Sequence, residues 1–312
     1  MLLSMDNILI FAHENPDGDA VGSTCALCKG LVSLGKKAAV WLDGVPKNDV
    51  YLTDGILFDG SFTPDHIVTV DTADNRIMCA NTGSFSKETP VELCIDHHYS
   101  NTLYAQNTYL DDKAAAAGEA VYDILREMNV TITKEIAECI YIAVATDTGC
   151  FRYSNTTSKT FRTAADMLGY GINLGEINRI QFETKTREYA ELEKRALSSM
   201  QMHFDGKCAM LVLTHDMYVE SGATDCDTQA LSSLPRQIEG VYAGITMKEK
   251  EEGLFRISIR TNAPADASDI AAKLGGGGHK MAAGCSFRGT KEEAEKTVLE
   301  FTKQQLEKAG LL

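Results

Sequence analysis

The first hundred residues repeat one pattern, in which a short apolar run ends at an aspartate or a histidine. The runs cover residues 7–12 before His13, 37–42 before Asp43, 66–70 before Asp71 and 91–95 before Asp96. Runs of this length that are rich in β-branched residues are typical of buried strands. A helical pattern follows the first run and is closed by Gly35. Short strands that alternate with helices predict an α/β domain with a parallel sheet and helices on both faces.

The rest of the chain changes character twice. Helical patterns occupy residues 114–128, 133–145, 159–168 and a heavily charged segment at 177–202, and strand patterns return at 207–213, 241–247 and 254–260. Because 312 residues exceed what one hydrophobic core usually holds, two domains are expected. We predict a parallel-sheet domain over residues 1–182, a helical linker over 183–203 and a smaller α/β domain over 204–312.

The chain is acidic, with a formal net charge of −14. A protein that grips long duplex nucleic acid usually presents a basic face, and no basic stretch dominates this sequence. An acidic chain can still bind a short phosphate ligand where metal ions and a few Arg or Lys residues face it. No run of about eighteen apolar residues occurs, and residues 1–11 lack the basic lead of a signal peptide. We therefore expect neither a long duplex partner nor a membrane span.

The cysteines do not suggest a disulfide framework, because their number is odd and they are scattered through apolar stretches. They are Cys25, Cys28, Cys79, Cys94, Cys139, Cys150, Cys208, Cys226 and Cys285. We interpret them as reduced core thiols of a cytoplasmic protein. Cys25 and Cys28 form a C-x-x-C pair, but they lie in an Ala/Leu-rich segment where such spacing shares one helix face. Without a second pair, helix packing is favoured over a redox or zinc role.

The first segment with recognisable chemistry is the turn after the first strand. It reads His13, Glu14, Asn15, Pro16, Asp17, Gly18, Asp19. Pro16 and Gly18 favour a tight turn, so His13, Asp17 and Asp19 can converge from one short loop. Imidazole with several carboxylates and no thiolate suits a divalent ion such as manganese. An Asp-Gly-Asp turn alone is usually only a turn, but the strand before it and the helix after it make the signal more specific.

Three further segments place similar side chains at the ends of predicted core elements. They are Asp71, the triplet Asp96-His97-His98, and Asp147 after the helical pattern 133–145. Any one of them could be a helix cap or a turn residue. Polar residues just past the carboxyl ends of parallel strands are where such sheets bind ligands, so we expect one shared site. The predicted ligands, enough for two divalent ions, are His13, Asp17, Asp19, Asp71, His97 and Asp147.

These four segments resemble, in order, the motifs of the DHH phosphoesterase superfamily, named after a triplet like Asp96-His97-His98. Residues 275–279, four glycines followed by His279, resemble the signature of the DHH-associated C-terminal domain. The resemblance covers nearly the whole chain. Length and domain pairing are similar to those of the nanoRNase group, bifunctional oligoribonucleases that also act on 3′-phosphoadenosine 5′-phosphate. It implies an active site in a cleft between the two domains, and a homodimer is compatible with it.

The resemblance also implies a role for each residue of the first domain. His13 and Asp17 would hold one manganese ion, and Asp19, His97 and Asp147 would hold the other. Asp71 would bridge the two ions. His98 would face the scissile phosphate and act in catalysis with Asp71. Asp96 would orient a neighbouring histidine. Asn101 matches a polar position shortly after the triplet and is expected to contact the substrate.

The second domain is expected to bind the substrate. Glycines let the backbone approach a phosphate closely and present N–H groups to it, which favours Gly276, Gly277, Gly278 and His279 as contacts. Arg260 ends a strand pattern and is suited to a forked contact with phosphate. The alternative interpretations are a flexible loop for the glycine run and a surface charge for Arg260. Weaker candidates for phosphate contact are Arg152, Arg236 and Lys280.

Taken with the resemblance, these features predict a manganese-dependent phosphodiesterase or exonuclease. Its substrates would be short single-stranded RNA or DNA and dinucleotides, and the resemblance adds conversion of 3′-phosphoadenosine 5′-phosphate to AMP. A manganese-dependent inorganic pyrophosphatase shares the four motifs but differs in its second domain, where Lys and Arg clamp pyrophosphate. A cyclic-dinucleotide phosphodiesterase is a close variant. A non-catalytic nucleotide sensor would be expected to have lost metal ligands, and none is missing.

Overall fold

The computed structural model describes residues 1–79, 85–224 and 230–312. The chain forms two compact units, Met1–Thr184 and Lys185–Leu312, called here the first unit and the second unit. The predicted domain limits at 182 and 204 stay a prediction. Cys226 lies outside the described residues. The other eight cysteines form no disulfide, and all but Cys150 are buried.

The first unit contains the predicted parallel sheet. Its strands are β1 (Ile8–Phe11), β2 (Ala38–Trp41), β3 (His66–Val70), β4 (Leu93–Asp96) and β5 (Asn107–Leu110). They pair in the order β2-β1-β3-β4-β5, and every pairing is parallel. From β1 the chain continues to β2 on one side of β1, and from β2 it crosses to β3 on the other side. The sheet therefore has a topological switch point between β1 and β3. Open α/β sheets bind ligands at the carboxyl ends of their strands at such a point.

Helices complete the first unit. They are α1 (Gly18–Ser33), α2 (Ala117–Glu127), α3 (Lys134–Asp147), α4 (Ser158–Gly169) and α5 (Leu174–Asn178). The main core joins the inner strands to α1, α2 and α3. The Asp17 side chain caps α1 by accepting hydrogen bonds from the backbone N–H groups of Asp19 and Ala20. Cys25 and Cys28 are fully buried on α1, so the helix-packing interpretation of this pair is confirmed.

Two glycines of α1 allow it to lie unusually close to α3. A Cβ atom added at Gly22 would come within 2.4 Å of the backbone carbonyl oxygen of Cys139. One added at Gly18 would meet the Thr146 side chain at 2.5 Å. This close packing brings the first turn of α1, with Asp17, beside the last turn of α3.

Gly22→Ala is expected to lower the free energy of unfolding by about 1–3 kcal/mol, because the added methyl group forces α1 away from a backbone atom. Urea unfolding measures the loss. Gly169→Ala, at the end of α4, is the matched control, since no atom lies within 4 Å of its added carbon. That control should stay within about 0.5 kcal/mol of the parent. Equal stability of the two variants would contradict close packing of α1 on α3.

The charged segment 177–202 does not form the single helix that its pattern predicts. It continues from α5 into one π-helical turn, Arg179–Glu183, and becomes helical again only in α6 (Arg187–Ser198). Thr184 is extended, and the Thr186 side chain caps α6 by accepting from the backbone N–H of Tyr189. β-Branched residues with side-chain oxygens favour such caps over a helix interior. In the second unit α6 packs against α7 (His215–Ser221).

The second unit is built on a mixed sheet. Its strands are β6 (Gln201–His203), β7 (Cys208–Leu213), β8 (Ala243–Glu251), β9 (Leu254–Thr261), β10 (Gly277–His279) and β11 (Ala282–Arg288). They pair in the order β10-β11-β9-β8-β7-β6, and only β7 with β8 is parallel. One face is covered by α8 (Ala267–Lys273) and α9 (Lys291–Lys308). On the other face, α6 and α7 cover β7, while β9 and β11 expose alternate side chains.

The predicted fold class is confirmed: a parallel α/β unit is followed by a smaller α/β unit. The predicted helices on both faces of the first sheet are not found among the described residues, because α1, α2 and α3 pack on one face while residues of connecting segments, such as Phe58, Phe85 and Tyr104, cover the other. Within the residues that the structure describes, no helix is both long and apolar enough to cross a membrane.

Candidate metal centre

The first unit brings the six predicted ligands together at the carboxyl ends of its strands. They lie after β1 (His13), at the start of α1 (Asp17, Asp19), after β3 (Asp71), after β4 (His97) and at the end of α3 (Asp147). Because β1, β3 and β4 are parallel neighbours, the turns that follow them meet at one edge of the sheet.

The possible ligand atoms fall into three groups, two of which share Asp71. One atom each of His13, Asp17 and Asp71 lie within 4.8 Å of one another, and so do those of Asp71, His97 and His98. A further group joins Asp19, His97 and Asp147 within the same distance. The His97 ring links them, since its Nε2 lies 3.4 Å from Asp71 Oδ1, 3.6 Å from Asp19 Oδ2 and 3.7 Å from Asp147 Oδ2. Carboxylate and imidazole groups this close together fit a site for divalent metal, and Asp71 is common to two of the groups.

The imidazole rings of His13 and His97 are oriented as those of metal-bound histidines usually are. His13 Nδ1 lies 2.9 Å from the Glu14 carbonyl oxygen, and His97 Nδ1 lies 3.2 Å from that of Ala114. A carbonyl oxygen can only accept, so both Nδ1 atoms carry the proton and donate. In the neutral rings each Nε2 lone pair then faces carboxylate oxygens at 3.4–3.8 Å. Two facing acceptors repel unless a proton or a metal cation lies between them, and a metal ion in that place would give the arrangement usual for metal-bound histidine.

The pKa values of the clustered carboxyl groups also indicate a site for a cation. Burial raises the pKa of the Asp19 carboxyl well above its usual range, and the negative charge of Asp71 raises it further. The same two causes raise the pKa of Asp17, and burial raises that of Asp147 to about 7. Burial lowers the pKa of His97, but the surrounding carboxylates outweigh this effect and raise it to about 11. A pocket with this much negative charge favours a bound cation.

Asp71 occupies a constrained position. Its backbone φ is 54°, a left-handed conformation that few residues other than glycine, asparagine and aspartate adopt readily. Its Oδ1 atom is buried and accepts no hydrogen bond from any described residue. Strained backbone and an unsatisfied buried oxygen both cost stability, and they concentrate at functional sites. The donor set, carboxylates with imidazole, suits a hard or borderline divalent ion.

Asp19 is held by the start of α2. Its two carboxylate oxygens accept hydrogen bonds from the backbone N–H groups of Ala117 at 2.7 Å and Gly118 at 3.0 Å. The positive end of a helix dipole stabilises a negative charge there. Gly118 is required, because a Cβ atom at this position would lie 2.5 Å from the Cβ of Ala143. The Asn155 amide donates to the Ala115 and Asp147 carbonyl oxygens and so joins α2 to the end of α3.

Asp96, which is fully buried, organises the turn after β4. Its Oδ1 accepts from the His97 backbone N–H at 2.9 Å and from His98 Nδ1 at 2.8 Å, while its Oδ2 accepts from Asn101 Nδ2 at 2.6 Å. Burial raises the pKa of Asp96, but these hydrogen bonds outweigh it and lower the pKa overall. Burial lowers the pKa of His98, and the bond to Asp96 reverses this and raises it. The Asn101 amide nitrogen is therefore engaged with Asp96.

Apart from His279, the predicted substrate residues of the second unit lie around one open pocket of about 600 Å³. It is lined by Arg260 and residues 275–278, with β11 as its floor. Two of these glycines have a packing role. A Cβ atom added at Gly276 would lie 2.2 Å from the carbonyl oxygen of Gly284, and one added at Gly278 would lie 2.6 Å from the carbonyl oxygen of Ala282. Gly277 has no atom within 4 Å of an added Cβ. His279 ends β10 and is exposed.

Sequence reasoning missed Gly118 and Asn155, which hold ligands without being ligands. Their contacts join segments far apart in sequence, and neither residue lies in a distinctive motif. Among the weaker candidates, Arg152 donates from Nε to the Gly149 carbonyl oxygen. Arg236 is half-buried beside Gly244, and Lys280 is exposed.

Comparison with known proteins gives a family and several relatives. The DHH family, N-terminal domain, matches residues 7–144, and the DHHA1 domain matches 207–308. The bifunctional oligoribonuclease and PAP phosphatase NrnA of Thermus thermophilus is 34% identical over 315 residues, covering 98% of this chain and 92% of that protein. An exopolyphosphatase-related protein from Bacteroides fragilis has a crystal structure with a TM-score of 0.85 at 25% identity, covering 97% of this chain and 93% of that chain.

A shorter match has another name. A probable manganese-dependent inorganic pyrophosphatase of Enterococcus faecalis is 26% identical over 191 residues, covering 54% of this chain and 60% of that protein.

The parallel sheet, the acidic and imidazole cluster and these relatives define a phosphoesterase, a hydrolase of phosphate esters. The chain belongs to the DHH family, and its second unit contains the DHHA1 domain. The family predicted from the sequence is confirmed.

Proposed function

We propose that this chain is a manganese-dependent phosphodiesterase that releases mononucleotides from short single-stranded oligonucleotides, with 3′-phosphoadenosine 5′-phosphate as a second substrate. The observation that carries the proposal is the position of Asp71 between ligand groups that each contain a histidine whose Nδ1 is fixed on a backbone carbonyl. The oligoribonuclease and PAP phosphatase named above, similar over 98% of this chain, supports the choice of substrates. The homodimer and the cytoplasmic location stay predictions.

The first unit would perform the chemistry. His13, Asp17 and Asp71 would hold one divalent ion, and Asp19, His97 and Asp147, with Asp71 shared, would hold the other. Two such ions, when bound, generate a nucleophile at neutral pH and stabilise charge on the reacting phosphoryl group. The burial of Asp19 and Asp71 would keep water from competing for these positions.

His98 would contact the phosphate. Its Nδ1 is committed to Asp96, so Nε2 is the ring atom that remains for the substrate. In the protonated ring, Nε2–H donates a hydrogen bond to a phosphoryl oxygen and holds the scissile group in place. Asn101, which the resemblance places at the substrate, holds Asp96 in the structure and thereby the orientation of His98.

The second unit would grip the substrate through Arg260, Gly276, Gly277, Gly278 and His279. Gly277 is the glycine with open space beside its Cα, so a phosphate could approach its backbone N–H closely. Arg260 lines the same pocket and can offer a forked pair of donors.

A product time course tests the proposal. Labelled di- to pentanucleotides are incubated with manganese, with 3′-phosphoadenosine 5′-phosphate, pyrophosphate and a cyclic dinucleotide in parallel. We expect mononucleotides from the oligonucleotides and phosphate from the bisphosphorylated nucleotide. His279→Ala should raise KM for a dinucleotide while the bound manganese, measured by elemental analysis, stays unchanged. Loss of metal in that variant would remove His279 from the substrate site.

An inorganic pyrophosphatase is the second candidate, because the Enterococcus faecalis relative carries that name. That match covers only 54% of this chain, and the match to the DHHA1 domain over residues 207–308 favours the first proposal. Faster release of phosphate from pyrophosphate than of mononucleotide from a dinucleotide would reverse the choice. A preference for the cyclic dinucleotide would instead indicate a cyclic-dinucleotide phosphodiesterase.

A further inference from the structure

Two of the possible metal ligands are held by backbone atoms of one short segment. Residues 114–118, called here the alanine segment, lie between β5 and α2 and include the first two residues of α2. The Ala114 carbonyl oxygen accepts from the His97 ring, and two N–H groups of the segment hold the Asp19 carboxylate. A backbone atom can orient a ligand only if its own segment is fixed. The position of the alanine segment therefore decides how these two ligands point.

Lys159, in the first turn of α4, joins the two flanks of the alanine segment. Its Nζ lies 3.1 Å from Asp111 Oδ2, which precedes the segment, and 2.7 Å from Asp123 Oδ2, which follows it on α2. Burial lowers the pKa of Lys159, but the hydrogen bonds to Asp123 and Asp111 outweigh this effect and raise it. One charged ammonium group thus fixes the chain on both sides of the segment.

Glu119, the residue after the alanine segment, depends on the same lysine. Its side chain is fully buried, and neither carboxylate oxygen accepts a hydrogen bond of normal geometry from a described residue. Lys159 Nζ lies 3.9 Å from Glu119 Oε2 and is the only cation of the described residues within 4 Å of it. A buried carboxylate without a counter-charge is strongly unfavourable. Glu119 therefore ties the first turn of α2 to Lys159.

The place of Lys159 within α4 opposes the usual preference of a helix start. The Thr157 side chain caps this helix and accepts from the backbone N–H of Lys159, so the lysine lies at the positive end of the helix dipole. Cations are unfavourable there, and no residue in the first turn of α4 is acidic. Residues that break a local preference are common where function requires them. The carboxylates outside α4 are the contacts that stabilise a lysine at this position.

We propose that Lys159 is a positioning residue of the metal centre, acting through the alanine segment. Without its charge, the carboxylates of Asp111, Glu119 and Asp123 would repel one another and loosen both flanks of the segment. The N–H groups that hold Asp19 and the carbonyl that fixes His97 would then lose their alignment. This inference rests on the proposed function and adds a residue on α4 that controls the affinity for metal.

Manganese binding to the full chain tests the inference. Lys159→Met is expected to raise the Kd for manganese, measured by calorimetry, about tenfold, in the range of residues that support metal ligands from behind. In the metal-free protein, the amides of Ala117 and Gly118 should exchange with deuterium about tenfold faster, because the segment opens locally. The amides of β3 should exchange as in the parent. Lys159→Arg keeps the charge and should restore most of the affinity.

Tyr122→Phe is the matched control, because it removes a hydrogen bond between α2 and α4 that does not involve Lys159. The Tyr122 hydroxyl donates to Asp166 Oδ2 at 3.0 Å. Its manganese Kd and amide exchange should equal those of the parent. If Lys159→Met does not fold, Asp123→Asn takes its place, since Asp123 is partly exposed and the change removes only one contact. Its manganese Kd should rise about threefold, as for loss of one partly exposed ion pair.

The outcomes separate the inference from the proposed function. A parent-like manganese Kd and parent-like exchange in the folded variant would overturn the inference and leave the proposed function intact. A lower Tm of the metal-free variant without either change would show that Lys159 supports only the fold, which also overturns the inference. So would a loss of affinity in Lys159→Arg as large as that in Lys159→Met. If the parent binds no manganese, the proposed function fails, and the inference fails with it.

Discussion

Asp71→Asn is expected to lower kcat/KM for a dinucleotide by roughly 10⁴-fold, equivalent to about 5.4 kcal/mol of transition-state stabilisation. Asp71 contributes ligand atoms to both a group with His13 and a group with His97, so loss of its charge weakens both. Asparagine is the matched replacement because it keeps the size of the side chain and tolerates the φ of 54°. Bound manganese should fall with activity.

The same substitution is expected to stabilise the metal-free protein. Burial raises the pKa values of Asp17 and Asp19, and the charge of Asp71 raises both further, which means that the ionised carboxylates repel one another in the folded state. Removing one charge relieves this repulsion, and we expect the relief to exceed the loss of the contact between Asp71 and the His97 ring. A gain of about 1 kcal/mol would raise Tm by roughly 2–4 °C in a unit of this size.

Thermal unfolding with a chelator and with manganese separates the two effects. In the parent, manganese should raise Tm, since a ligand at one hundred times its Kd stabilises by about 2.7 kcal/mol. In Asp71→Asn the chelated protein should start from a higher Tm and gain little from the metal. Asp54→Asn, at an exposed aspartate of the same unit, should follow the parent in both conditions. A full rise with manganese in Asp71→Asn would remove Asp71 from the metal centre.

Asp96→Ala is expected to lower kcat about 10–100-fold, in the range of residues that orient metal ligands from behind. The change removes the acceptor of His98 Nδ1, of the His97 N–H and of the Asn101 amide at once. Unsatisfied buried donors also cost about 1–3 kcal/mol each in stability. Asp96 belongs to none of the ligand groups among the described residues, so bound manganese should largely remain.

Kinetics distinguish orientation from general damage to the fold. Loss of orientation should appear in kcat with KM nearly unchanged, and Asp96→Asn, which retains one acceptor oxygen, should recover part of the rate. A variant whose KM and manganese content change as strongly as its kcat would show that Asp96 only supports the fold.

The parallel sheet could be predicted because its inner strands are buried on both faces and therefore read as unbroken apolar runs. β5 could not, because Asn107–Leu110 is a mostly exposed edge strand without such a run. The helix break near Thr186 was missed because charge and spacing continue through it, while capping depends on one hydroxyl group.

The ligands could be predicted individually, since each ends a core element in a recognisable motif. The contacts that hold these ligands in place could not be predicted. The hydrogen bonds from Ala117 and Gly118 to Asp19 depend on how α2 lies against α1, which no local pattern encodes. The packing role of Gly276 and Gly278 was likewise hidden, because the sequence cannot distinguish a glycine required by a neighbouring strand from one required by a ligand.

The left-handed backbone at Asp71 has an evolutionary consequence. Asparagine fits this position as well as aspartate, and an aspartate codon becomes an asparagine codon by one base change. Because the metal-free fold is expected to gain stability from that change, a gene copy released from selection for catalysis would keep a folded product. Inactive nucleotide-binding descendants of this fold should therefore arise easily, and asparagine at this position would mark them.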